Sequence, residues 1–93
     1  MKVARTGHTA TPLKDGRVLI VGGKGVYPND GLVSAEIYDP GTGQFILTGS
    51  MTAARQRHTS ALLAHGRVLV VGGEAGVVGT TLVEVYDPAS GKF

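Results

Sequence analysis

The first half of the chain is written again in the second. Residues 1–24 recur as 51–74 at an offset of 50, so that Met1, Ala4, Arg5, His8, Thr9, Leu13, Gly16, Arg17, Val18, Leu19, Val21, Gly22 and Gly23 all return. After Gly23 the second copy is two residues shorter and the offset becomes 48. Glu36, Tyr38, Asp39, Pro40, Gly43 and Phe45 then return as Glu84, Tyr86, Asp87, Pro88, Gly91 and Phe93. A repeat of this period is one supersecondary unit that buries its apolar surface against its neighbours. The chain therefore divides into residues 1–50 and 51–93, and the length change between Gly23 and Glu36 marks a surface loop.

Each copy reads as four short strands. Strand one is predicted over His8–Leu13 and again over His58–Leu63. It ends in a tight turn at Lys14-Asp15-Gly16 or Ala64-His65-Gly66, and Asp-Gly is a strong hairpin signal. Strand two is predicted over Arg17–Gly22 and Arg67–Gly72. Its run Val18-Leu19-Ile20-Val21 is apolar without alternation, which calls for cover on both faces. Strand three follows over Ala35–Tyr38 and Val83–Tyr86. The segment Asp39-Pro40-Gly41-Thr42-Gly43 is a turn by its residue types. Strand four is predicted over Gln44–Thr48, and its second copy is cut short at Phe93.

Composition agrees with an all-β chain of short strands. Hydrophobic residues make up 42%, aromatics only 5%, and 15 of 93 residues are Gly. A net charge of +2, with no Lys/Arg run, is too weak to imply a nucleic acid or membrane partner. No apolar stretch approaches the ~20 residues of a helical membrane span, and Met1-Lys2-Val3-Ala4-Arg5 carries no apolar signal-peptide core. With no Cys there is neither a thiolate metal site nor a Cys nucleophile.

Small twisted sheets with two apolar faces are satisfied by radial stacking of like sheets. Pro12, which cannot donate to a ladder, suits an edge position on the innermost strand. The succession Arg-x-x-His-Thr, Gly-Arg-Val-Leu-hydrophobic-Val-Gly-Gly, Glu-x-Tyr-Asp-Pro and Gly-x-Phe resembles the kelch repeat, in the bacterial form of galactose-oxidase-like propellers. The resemblance runs through nearly the whole chain, twice. Phe45 and Phe93 stand where such repeats usually carry Trp, filling the core with no N–H to satisfy. The resemblance implies two four-stranded antiparallel blades of a β-propeller, the second lacking most of its outer strand. Two blades leave two apolar sheet faces bare, so the ring is expected to be completed by oligomerisation in a head-to-tail cycle. Three copies would supply six blades and four would supply eight, and the trimer is expected ahead of the tetramer. The other reading is a piece of a longer propeller chain.

Candidate chemistry is sparse. His8 and His58 recur, as a packed structural residue does and a unique catalytic one does not. Arg5 and Arg55 recur with Glu36 and Glu84, and are expected to form charge pairs between neighbouring blades. Gly22-Gly23 and Gly72-Gly73 match no phosphate-binding motif and suit unusual backbone angles. His58 and His65 are an odd number apart and would face opposite sides of a strand, which argues against a metal site. Galactose-oxidase-like enzymes use a copper site with Tyr and His ligands and a Cys cross-linked to Tyr, and this chain has no Cys. No catalytic residue, cofactor or metal is expected, and the chain is read as no enzyme. The loop-bearing end of the blades, at Lys24–Val33 and Thr48–Arg57, is the ligand face that the resemblance implies. Arg57 stands where such domains often present a pocket-facing Arg, with Gly7 in its place in the other copy. A rim of Arg57, Gln56, Tyr27 and Lys24 suits an acidic protein or peptide partner, or a small carboxylate. The function expected is a non-catalytic scaffold that self-assembles and binds on this rim. The alternatives are a fragment of a larger oxidase-like or carbohydrate-acting propeller enzyme, and a building block with no activity beyond assembly.

Overall fold

The computed structural model describes residues 5–25, 32–75, 78–79 and 83–93. Those residues are all-β, with no helix among them, and form two antiparallel sheets plus a short hairpin. The first sheet runs β1 (Thr9–Pro12), β2 (Val18–Val21), β3 (Ala35–Asp39) and β4 (Gln44–Leu47), each strand hydrogen-bonded to the next in sequence. The second takes β5 (Thr59–Leu62), β6 (Val68–Val71) and β9 (Val83–Tyr86) in the same order. Between β6 and β9 lies the hairpin β7 (Glu74–Ala75) and β8 (Val78–Gly79), which the repeat did not predict because it falls in the segment where the two copies differ.

The registers repeat with the sequence. Thr11 pairs with Leu19, and Leu19 with Ile37, in the first sheet. Ala61, Leu69 and Val85 do the same in the second. The turn chemistry fixes the other ends: the Asp39 carboxylate accepts from Gly41 N at 2.9 Å, and the Asp39 carbonyl accepts from Gly43 N at 2.7 Å. That turn brings Phe45 opposite Tyr38, with ring centroids 4.7 Å apart; Tyr86 and Phe93 repeat the contact at 4.9 Å. In place of a fourth strand, the second sheet shows only a bridge between Asp87 and Lys92 among the described residues.

Side chains alternate across a strand, so each sheet has two faces. On the first sheet, the face carrying Thr9, Thr11, Leu19, Val21, Ala35 and Ile37 turns toward the second sheet. It meets the face carrying Ser60, Val68, Val70 and Tyr86. Leu19, Val21, Ala35, Val68 and Val70 are fully buried there, with Met51 from the connecting segment among them. At the inner edge β1 lies beside β5. Thr9 Oγ1 sits 2.9 Å from His58 Nε2 and 2.6 Å from Ser60 Oγ. At the outer edge Thr48 Oγ1 is 2.7 Å from the Tyr86 hydroxyl.

The apolar run of strand two was expected to be covered on both faces. Around β2 that holds for Leu19, Ile20 and Val21, while Val18 is half-buried. Around β6 it does not: Val68 and Val70 are sealed, but Leu69 is half-exposed and Val71 is 38% exposed. Within one chain, nothing described covers the far face of the second sheet.

Candidate functional site

Two ion pairs are sealed in the fold. Arg5 Nη2 donates to Glu36 Oε2 at 2.9 Å, and both side chains are fully buried. Arg55 Nη2 donates to Glu84 Oε2 at 2.8 Å, with the Arg side chain fully buried. Arg5 Nη1 also reaches the carbonyls of Gly22 and Ser34, and Arg55 Nη1 that of Gly72. The charge pairing read from the sequence is present, with one correction: each pair lies within one repeat, not between neighbours. The Arg precedes strand one and folds back over strand three of its own sheet. The seam is reached by backbone instead, through Gly23 N to Arg55 O at 2.9 Å and Arg55 N to Leu32 O at 3.2 Å. Gly22 is required at this crossing: its φ is +63°, and a Cβ there would stand 2.6 Å from the Arg55 carbonyl oxygen. Glu84 further accepts from Thr52 N at 2.7 Å and Ala53 N at 3.3 Å, tying the connecting segment to β9.

His58 is 7% exposed in this layer. Burial, followed by the nearby Arg55 charge, pushes its imidazole down to about 4, against the opposing pull of the Val21 backbone. It is a neutral ring holding Thr9, as expected for a packed, hydrogen-bonded His. His8 is only half-buried, so the repeat of the residue is not a repeat of its environment.

At the loop-bearing end, Thr6 and Lys24 exchange backbone hydrogen bonds, and Gln56 and Glu74 repeat that exchange. Arg57 N donates to the Gly7 carbonyl at 2.8 Å, which ties the two repeats together there. Of the four rim residues read from the sequence, Gln56 and Arg57 are brought beside Gly7. Lys24 is half-buried and bridged to Thr6, one residue from Gly7. Tyr27 lies outside the described residues. Gln56 is 5% exposed, which places its side chain in the support of the rim, not on its solvent side. Arg57 is the opposite case. Its side chain is 71% exposed, with Nη1 3.2 Å from Glu74 Oε1, a solvent-screened contact. Its φ is +53°, where among described residues every other left-handed position is Gly, including its repeat partner Gly7 at +69°. An L side chain held in that region is strained by about 1 kcal/mol or more.

The opposite end carries a shallow hollow of about 220 Å³ that the sequence did not single out. Lys14, Asp15, His65 and Asp87 rim it, and Lys14 Nζ donates to the Ala64 carbonyl across the two repeats. Asp15 is held below the usual carboxylate range, chiefly by the Arg17 backbone N–H, with the Arg17 guanidinium adding to it. The signal for the hollow was the turns at Lys14–Gly16, Ala64–Gly66 and after Asp87, which the repeat sets at one end. Among the described residues no group of three His, Asp or Glu side chains is placed to hold a metal. The fold and site define an all-β pair of stacked antiparallel sheets built from one repeat. No protein-family model matches the chain, and no curated protein matches it at a significant level.

Proposed function

We propose that the chain is a pair of kelch-like propeller blades, a non-catalytic scaffold that joins with copies of itself and receives an acidic partner on its loop-bearing rim. The repeat of register, of the Arg–Glu pairs and of the Tyr–aromatic contacts supports the blade reading. The observation that carries the binding reading is Arg57. Its strained backbone and exposed guanidinium occupy a place where the other repeat has Gly, and strain retained at one position suits a residue kept for recognition. A ligand carboxylate would displace Glu74 and take the planar guanidinium in two parallel hydrogen bonds.

The test uses Arg57→Gly and a fluorescein-labelled Asp/Glu-rich peptide followed by polarisation. Relief of the left-handed strain is expected to raise stability by about 1 kcal/mol while peptide affinity falls at least about tenfold. Affinity of the wild-type chain is expected to weaken with added salt. A wild-type chain that ignores the peptide, or an Arg57→Gly variant that binds it unchanged, overturns the rim reading.

A further inference from the structure

We infer that a second copy of this chain docks on the bare face of the second sheet with the outer face of its own first sheet. This inference rests on the self-assembly part of the reading above and gives it a surface and a direction. The argument is made by the seam inside the chain. There, the face bearing Thr11, Leu19, Val21, Ala35 and Ile37 is sealed by the opposite face of the next repeat. The same face of the second sheet consists of Ala61, Leu69, Val71, Val83 and Val85, at the same places in register. Its apolar character is kept, yet Val71, Val83 and Val85 are 38%, 54% and 37% exposed. Their counterparts Val21, Ala35 and Ile37 are 0%, 0% and 4% exposed.

The complementary surface lies on the same molecule and is open in part. In the second sheet, Ser60, Val68, Val70 and Tyr86 form the face that seals the seam. In the first sheet those places are held by Ala10, Val18, Ile20 and Tyr38, with Ala10 exposed, Val18 and Tyr38 half-buried, and Ile20 buried. One face of each kind is therefore covered by the other sheet, and one of each kind has no sheet described against it. A second copy translated along the stack meets a surface of the sort that already fits. The contact is heterologous: the two molecules use different patches, so each copy has a donor face and an acceptor face. A symmetric dimer through the valine face would instead set like side chains against like and leave the first sheet's outer face uncovered.

The experiment is solution mass by light scattering, with circular dichroism to check folding, on three samples. Wild-type chain is expected at more than one chain mass. Val83→Asp blocks the valine face and Ala10→Asp the opposite one, both at exposed positions, so each variant alone is expected to be a folded monomer. If Val83→Asp fails to fold, Val85→Lys replaces it. Mixed in equal amounts, the two variants retain one intact pair of faces and are expected to give a heterodimer and nothing larger. A wild-type monomer overturns both the inference and the self-assembly reading. A wild-type oligomer that survives both variants overturns the face assignment alone. An oligomer lost with Val83→Asp but kept with Ala10→Asp identifies a symmetric contact and also overturns it.

Discussion

Leu19 and Leu69 hold the same place in two repeats, in strands of equal length and equal pairing, and meet different surroundings. Leu19 is sealed between sheets, while Leu69 is half-exposed on a face that nothing described covers. Glu36 and Glu84 give the contrasting case. Both are buried and both hold an Arg from their own repeat, although one lies at the seam between sheets and the other on the first sheet's outer face. What a repeat carries within itself, such as the ion pair, is reproduced wherever the repeat stands. What it borrows from a neighbour, such as cover for its apolar face, is reproduced only where a neighbour exists.

The largest expected effect tests the first half of that contrast. Removing Glu84 as Glu84→Ala leaves the Arg55 charge buried without its carboxylate and costs the connecting segment two acceptors. Loss of about 3–5 kcal/mol is expected in chemical denaturation, and Glu36→Ala should fall in the same range. A negligible effect at Glu36 alone would break the equivalence of the two repeats. Next come Leu19→Ala, expected to cost about 3 kcal/mol, and Leu69→Ala, expected to cost under about 1 kcal/mol in a monomeric chain. Measured in assembled chains, the Leu69 cost should climb toward that of Leu19, because the face is then covered.

A pH titration probes the seam more gently. His58 titrates at about 4 in the folded chain against an ordinary value of 6.5. The unfolded chain therefore binds more protons between those values, and stability is lost as pH falls through the window. Up to about 3 kcal/mol is expected to disappear, and His58→Asn should flatten the profile. The smallest expected change is Thr48→Val, which removes the hydrogen bond to Tyr86 at the outer edge and should cost about 1 kcal/mol by thermal unfolding.

Much of the fold was written in local chemistry. Asp39-Pro40-Gly41-Thr42-Gly43 announces its turn, and the offsets of 50 and 48 carry β1, β2 and β3 onto β5, β6 and β9. The hairpin of β7 and β8 was not legible, since it falls where the two copies differ in length and sequence. The direction of the Arg–Glu pairs was also hidden. Spacing alone does not say whether Arg5 folds back over its own sheet or reaches across to the next. At the rim, Gln56 and Arg57 are neighbours in sequence with opposite exposures, and only the exchange of Arg57 for Gly7 hinted at a left-handed backbone there. That hint concerns the main chain, whereas recognition at the rim depends on side chains.

The in-repeat ion pairs also bear on how the chain reaches its folded form. Arg5 and Glu36 are 31 residues apart, Arg55 and Glu84 only 29. Each contact closes a loop of modest length whose entropy cost does not depend on the other half. Either half is therefore expected to form its ion pair independently, with the docking of the two sheets as the later event. Substitutions in the seam should then speed unfolding more than they slow folding, and those at the ion pairs should act on the folding rate as well.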